Sequence, residues 1–315
     1  MMKDNHTTVT EFLLMGFQNL HSFHIPLFLL LIFLYSVTVT GNLLIIMLVS
    51  VNQQLKCPMY FFLSHLSLCD ILISSNVGPN TLQVILTGRC PISALGCLIQ
   101  LYFFGASALI ECCLLTVMSY DRYLAICNPL RYPSIMNVKL PYYLAIWCWT
   151  AGFALSFITE VLVFELEFCG PNIIDHFFCD LAPLLELSCS DTSLVEIQVS
   201  INVILIVISQ LVIVVATYIC IFSSIFRIST STGRQKTFST CSSHLAVVSI
   251  YYGTLITLYM APSRGYSLEL NKALSLLNTV LTPLFNPIIY SLRNKDIRKA
   301  IIKFLMGISS VKLKG

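Results

Sequence analysis

The chain has 315 residues, 57% of them hydrophobic and 10% charged, and a formal charge of +3. Soluble globular domains run at about 45–50% apolar and about 25% charged residues, and a fold of this length has too little interior to hide the excess. An ordinary soluble enzyme, a disordered regulator and a basic nucleic-acid binder are thereby excluded. The composition is that of an integral membrane protein.

A helix needs about 20 mainly apolar residues to cross a bilayer. In chain order, such stretches fall at 25–49, 59–82, 95–127, 140–163, 195–226, 245–260 and 273–292. The third and fifth exceed a bilayer thickness, which predicts tilt or extension into water. The sixth is short in hydropathy and is expected to begin earlier, near Lys236. The expected fold is all-α, a seven-transmembrane helix bundle, rather than a barrel of weak alternating segments. It forms a single domain, 1–315: an extracellular tail (1–24), the bundle (25–292), and a cytoplasmic amphipathic helix and tail (293–315). After the last span, Ile297, Ala300, Ile301 and Phe304 alternate with Arg298, Lys299 and Lys303, the pattern of a short helix lying on the membrane surface.

Lysine and arginine placement sets the expected orientation. Lys56, Arg122, Arg131, Lys139, Arg227, Arg234, Lys236 and seven tail residues from Arg293 to Lys314 fall on one side. Only Lys3, Arg89, Arg264 and Lys272 fall on the other. The basic side is therefore expected to be cytoplasmic and the N-terminus outside. The first helix is expected to serve as an uncleaved signal-anchor after a polar tail of about two dozen residues. Asn5-His6-Thr7, in that tail, is the one N-x-S/T site, and glycosylation of Asn5 is expected.

Thirteen cysteines leave at least one free. Those in spans or near the cytoplasm are expected to be reduced. The outer set is Cys90, Cys97, Cys169, Cys179 and Cys189, three of them ten apart in one acidic loop. Cys97–Cys179 with Cys169–Cys189 is the preferred pairing, leaving Cys90 unpaired, although the residues alone do not fix it. A metal site of these cysteines with His176 and Asp180 is the less favoured alternative.

Several motifs then stand together. They are Gly41-Asn42 in the first span, and Pro58 to Ser64 followed by Asp70 in the second. Met118 to Cys127 closes the third, with Asp121-Arg122-Tyr123 inside it. Lys236 to Leu245 opens the sixth, and Pro283 with Asn286-Pro287-Ile288-Ile289-Tyr290 lies in the seventh. Over nearly its whole length the chain resembles the odorant receptors, a branch of the rhodopsin-like G-protein-coupled receptors, and the tetrapod-type (class II) group more than the fish-like one. Cys57, Ser119, Thr237 and Thr217-Tyr218 depart from the usual residues by small or isosteric changes.

The resemblance implies a receptor, not an enzyme, without a cofactor. Its partners would be a small-molecule odorant, a heterotrimeric G protein of the stimulatory, olfactory type that raises cyclic AMP, and membrane lipid, with no nucleic acid. Its place would be the plasma membrane, in the cilia of olfactory sensory neurons. Carried over from the family, the ligand-binding residues are Phe104, Gly105, Ala108 and Leu109, then Asn202, Val203 and Ile206. Tyr252, Leu255, Tyr259, Leu276 and Thr279 complete the set. No carboxylate faces this part of span three, so neutral, partly hydrophobic volatiles are expected rather than a biogenic amine.

The implied activation switch comprises Asp121, Arg122, Tyr123, Tyr218, His244, Asn286, Pro287 and Tyr290. Asp121 is expected to hold Arg122 at rest, and Asn286 to re-satisfy backbone freed by Pro287. Buried carboxyls are costly unless protonated, paired or cation-bound. Asp70 and Glu111, with Asn286, resemble the family's internal sodium-type site, and a proton shared between the two acids is the alternative.

Overall fold

Long apolar runs bounded by proline, glycine and polar caps set the helix lengths. The computed structural model describes residues 9–16, 23–169, 171–227, 230–260 and 268–312; within these, the side chains of 231–233, 236, 239–240, 256–260, 268–271, 292–293 and 305–312 are outside the description. Helix α1 spans His24–Val51 and α2 spans Pro58–Thr87, with Pro58 in the first turn, where its missing N–H costs nothing. Gly88 closes α2 in the left-handed region, φ 77°, its N–H donating to the Val84 carbonyl at 2.8 Å. Ser93 opens α3 (Ala94–Cys127), its hydroxyl accepting from the Gly96 N–H at 3.0 Å.

A short helix α4 (Tyr132–Ile135) leads to α5 (Leu140–Phe164), and α6 (Leu181–Leu185) lies in the long loop that follows. The next span is α7 (Ser193–Asn202), a π-helical stretch Val203–Ile208, and α8 (Ser209–Phe226). Then come α9 (Ser231–Met260), α10 (Leu268–Leu276), a second π-helical stretch Leu277–Leu281, α11 (Thr282–Arg293) and α12 (Lys295–Lys312). By length and composition, six stretches among the described residues are long and apolar enough to cross a membrane: His24–Val51, Pro58–Thr87, Ala94–Cys127, Leu140–Phe164, Ser193–Phe226 and Lys272–Ser291. Helix α9 has the length at 30 residues, but its polar first half, Ser231 to His244, dilutes its hydropathy.

One feature departs from the purely helical expectation. Three short strands, β1 (Glu11–Leu14), β2 (Cys90–Ser93) and β3 (Ile173–Ile174), form a sheet in the order β2-β1-β3. Strand β1 runs antiparallel to β2, with Phe12 opposite Ile92, and parallel to β3, with Leu14 opposite Ile174. Phe12 and Leu14 alternate inward and are buried, a period of two too short to stand out in a polar tail.

The buried apolar residues among those described fall into two clusters. Phe12, Leu14, Val163, Phe177, Phe178 and Cys179 fill the sheet end of the bundle. Ile45, Leu63, Leu114, Tyr218 and Tyr251 belong to the cluster that continues to the opposite end, where α12 docks through Ile297 and Ala300. Tyr60 holds the α11–α12 corner by donating to Asn294 Oδ1 at 3.0 Å and Asp296 Oδ2 at 3.1 Å.

The seventh span shows how a proline is accommodated. Pro287 lies inside α11 and cannot donate to the carbonyl of Pro283, four residues back. Asn42 Nδ2 donates to that carbonyl at 3.1 Å and to Thr38 O at 3.0 Å. A side chain at Gly41 would press on the Pro287 ring, 3.3 Å from its Cβ. Gly41-Asn42 is thus a fitted mate for the proline turn. It is Asn42, and not Asn286 as the sequence suggested, that satisfies the freed carbonyl.

Candidate functional site

Below the sheet, a cavity of about 130 Å³ opens between α3, α5, α7–α8 and α9. That is close to the roughly 150 Å³ of an engineered cavity that accepts benzene. Phe104, Gly105, Ala108 and Leu109 line it from α3, Asn202 and Val203 from the first π-helical stretch and its entry, and Leu255 from α9. All seven belong to the ligand set expected from the sequence. The π-helical turn brings Val203 and Val207 together onto the wall, and such turns are frequent at functional sites.

The other expected ligand residues sit elsewhere. Tyr252 is buried beside the cavity, sharing hydrogen bonds with Cys112 Sγ at 3.2 Å and Thr116 Oγ1 at 3.3 Å, while its neighbour Tyr251 takes the wall. Thr279, in the second π-helical stretch, donates to Ser275 O at 2.8 Å and faces a smaller cavity against α1 and α2. Leu276 packs against the sheet-end cluster, and Ile206 is half-buried next to the wall. The side chain of Tyr259, and Asn5, lie outside the described residues.

Sequence reasoning missed the polar part of the wall. Ser156, Thr159 and Glu160 enter from α5, and Asp180 and Leu181 from the loop. No carboxylate lines the cavity from span three, yet two reach it from neighbouring elements. The available signal was Glu160, an acid inside an otherwise apolar stretch.

The loop is pinned over this cavity. Disulfides join Cys97 to Cys179 and Cys169 to Cys189, and Cys90 is unpaired and buried. The Cys179 N–H donates to Gln100 Oε1 at 2.9 Å, and Gln100 in turn donates to Asn76 O at 2.6 Å, tying the loop through α3 to α2. Asp180 caps α6, its Oδ1 accepting from the Leu181 N–H at 2.8 Å, and burial pushes its carboxyl up to about 6. His176 is fully buried against the Phe177 and Phe178 rings, both 4.6 Å away. That burial, with the nearby Lys272 ammonium, holds its imidazole down at about 3. Lys272 of α10 donates to Asp175 at 2.7 Å, a further tie between loop and bundle.

At the opposite end, the arginine motif is arranged differently from the expectation. Asp121 is buried and accepts from the Tyr132 hydroxyl of α4 at 2.9 Å; it makes no ion pair with Arg122, which is half-buried. Adjacent residues on a helix diverge by about 100° and do not face each other. Tyr218 of α8 and His244 of α9 stack, with the hydroxyl 2.7 Å from Nδ1, and Tyr218 also donates to Cys241 O at 3.3 Å. The Tyr290 hydroxyl of α11 is buried with no hydrogen-bond partner among the described residues. Tyr123 packs against the core cluster from the half-buried face of α3.

Between the two ends, Asn286 Nδ2 donates to Asp70 at 2.9 and 3.1 Å and to Glu111 at 3.4 Å, all three residues buried. The amide turns its nitrogen, not its oxygen, toward the acids. Among the described residues no group of three His, Cys, Asp or Glu is placed to hold a metal ion. Asn286 of α11 thus bridges the two acids of α2 and α3.

The fold agrees with that of known proteins. The structure is similar to squid rhodopsin, with a TM-score of 0.70 over 91% of this chain and 86% of that one, at 15% identity. Among curated relatives, human olfactory receptor 11L1 is 45% identical, covering 97% of this chain and 95% of its own. Mouse olfactory receptor 5P81 is 47% identical, with 96% of each covered. The family model for olfactory receptors matches residues 31–307, and the chain belongs to that family of rhodopsin-like G-protein-coupled receptors.

Proposed function

We propose that this chain is an odorant receptor that binds small volatile ligands in the α3–α5–α7–α9 cavity and activates a stimulatory, olfactory-type G protein, raising cyclic AMP. The observation that carries this reading is the cavity itself. It is closed by a disulfide-tethered loop, walled mainly by Leu101, Phe104, Leu109, Val207 and Leu255, and sized for about one ring. In this reading the sheet end faces outward with the N-terminus, the basic end faces the cytoplasm, and Asn5 carries glycan. The receptor would lie in the plasma membrane of sensory cilia, with α12 on the lipid surface.

Ligand binding would favour a state in which α9 moves away from Arg122 and the partner enters beside it. At rest, the Tyr218–His244 contact ties α8 to α9, and the Asp121–Tyr132 bond ties α3 to the loop that precedes α5. Rearrangement of both ties would loosen α3, α8 and α9 around Arg122 and open the space beside it. The test is cyclic AMP in cells expressing the receptor with the olfactory-type G protein, challenged by a broad volatile panel, beside Arg122→Ala at matched surface level. A response lost in the variant supports the reading. A response that survives removes Arg122 from it.

A further inference from the structure

The chemistry of the cavity wall selects among ligands, and this step rests on the cavity being the ligand site. Its polar groups divide unevenly between acceptors and donors. Glu160 lines the wall from α5, with Oε1 buried and without a hydrogen-bond partner among the described residues. Asp180 lines it from the loop at 7% exposure, and only its Oδ1 is engaged, by the Leu181 N–H.

The hydroxyl protons on the same wall are already committed. Ser156 donates to Tyr102 O at 2.9 Å, Thr159 to Gln198 Oε1 at 3.0 Å, and Tyr251 to Ala108 O. Among the described lining residues only the Asn202 amide has donors to offer, and none is a Lys, Arg or His. Lys272, the buried cation of the loop region, is paired with Asp175. A carboxyl buried with no donor and no countercharge is costly, and a ligand that supplies both recovers that cost on binding.

We propose that the cavity recognises a small primary amine, its ammonium donating to Glu160 and Asp180 and its hydrocarbon body packing against Phe104, Leu109 and Leu255. Carboxylic acids are repelled by the same pair. Esters and hydrocarbons bring acceptors or nothing to a wall whose free donors are confined to the Asn202 amide. An alcohol supplies one proton and no charge, and ranks between.

The test uses surface-expressed receptor and skeleton-matched sets, for instance cyclohexylmethylamine, cyclohexanemethanol and cyclohexanecarboxylic acid, with linear and aromatic equivalents. Cyclic AMP is read in cells, and ligand protection against thermal unfolding is read on purified receptor. The expected result is an amine potency at least tenfold above the alcohol, with the acid inactive. Glu160→Gln and Asp180→Asn should each weaken the amine at least tenfold while leaving the alcohol within about threefold. The binding readout on purified protein is independent of G-protein coupling, and the two variants lie on separate elements, so misfolding of one leaves the other informative.

If neutral members match or exceed the amines, or if both variants leave the amine unmoved, the amine assignment falls while the receptor reading stands. If no class binds by either readout, both fall.

Discussion

The α3–α5 crossing depends on one residue without a side chain. A Cβ built at Gly152 would collide with Ile110 Cγ1 and lie 3.0 Å from the Ala106 carbonyl oxygen and 3.2 Å from the Ile110 nitrogen. The isoleucine can turn aside, but two of the three obstacles are α3 backbone, which cannot. Gly152→Ala must therefore push the helices apart. Overpacking of this kind costs about 1–3 kcal/mol, and a backbone obstacle places it at the upper end. Alanine returns about 1 kcal/mol of helix propensity relative to glycine, for a net loss of about 2 kcal/mol.

Gly253 on α9 supplies the internal comparison, since nothing lies within 4 Å of its virtual Cβ. Gly253→Ala should gain about 1 kcal/mol from propensity alone. The assay is thermal unfolding of detergent-purified receptor, read with a fluorogenic maleimide that reports Cys69, Cys112, Cys113 and Cys148, all buried in the native state. Gly152→Ala should melt several degrees below wild type and Gly253→Ala at or slightly above it. Equal melting temperatures for Gly152→Ala and wild type would mean that α3 and α5 do not cross as closely as described, and the cavity between them would lose its frame.

Other consequences follow from individual contacts. Tyr132→Phe removes the donor to buried Asp121, a bond to a charged group worth about 1.5–3 kcal/mol; basal cyclic AMP should rise severalfold, and an unchanged baseline would mean that this bond does not hold the resting state. Loop-closure entropy ranks the disulfides: the 82-residue separation of Cys97–Cys179 is worth about 4.5 kcal/mol and the 20-residue separation of Cys169–Cys189 about 3 kcal/mol. Cys97→Ser should therefore reduce surface expression more than Cys169→Ser, as flow cytometry would show.

Two loop groups respond to pH with opposite sign. His176 is held at about 3 against an ordinary 6.5, so its contribution is present above pH 6.5 and declines as pH falls, by about 2 kcal/mol at pH 5. Asp180 sits at about 6 against 3.8, so its contribution is present below pH 3.8 and is lost as pH rises through 6. Melting curves from pH 4.5 to 8 should show that His176→Gln flattens the acid loss and Asp180→Asn flattens the loss toward neutrality; unchanged profiles would mean that neither group is desolvated.

Much of the architecture was legible in the residues, because hydropathy acts over 20-residue windows. Each expected span coincides with a helix or helix pair, and the α12 amphipathic pattern from Ile297 to Phe304 packs as its spacing implied. Features that depend on a few residues were not legible. Strand β1 has only four residues, and the π-helical stretches at Val203–Ile208 and Leu277–Leu281 leave no mark in apolar sequence. At the cavity, span-three positions were found because they share one helical face. Glu160 and Asp180 were missed because they arrive from α5 and the loop, and chain position alone does not reveal which way either faces. The Asn42–Pro283 bond joins residues 241 positions apart, beyond any local pattern.

The central claim is that the α3–α5–α7–α9 cavity is where ligand acts. The most direct test is a dose–response curve for an activating volatile on wild type and on Ala108→Phe, which puts a ring into a space of about 130 Å³, at matched surface level. The account predicts an EC50 raised at least tenfold with basal signalling retained. An unchanged EC50 in the filled cavity would contradict it.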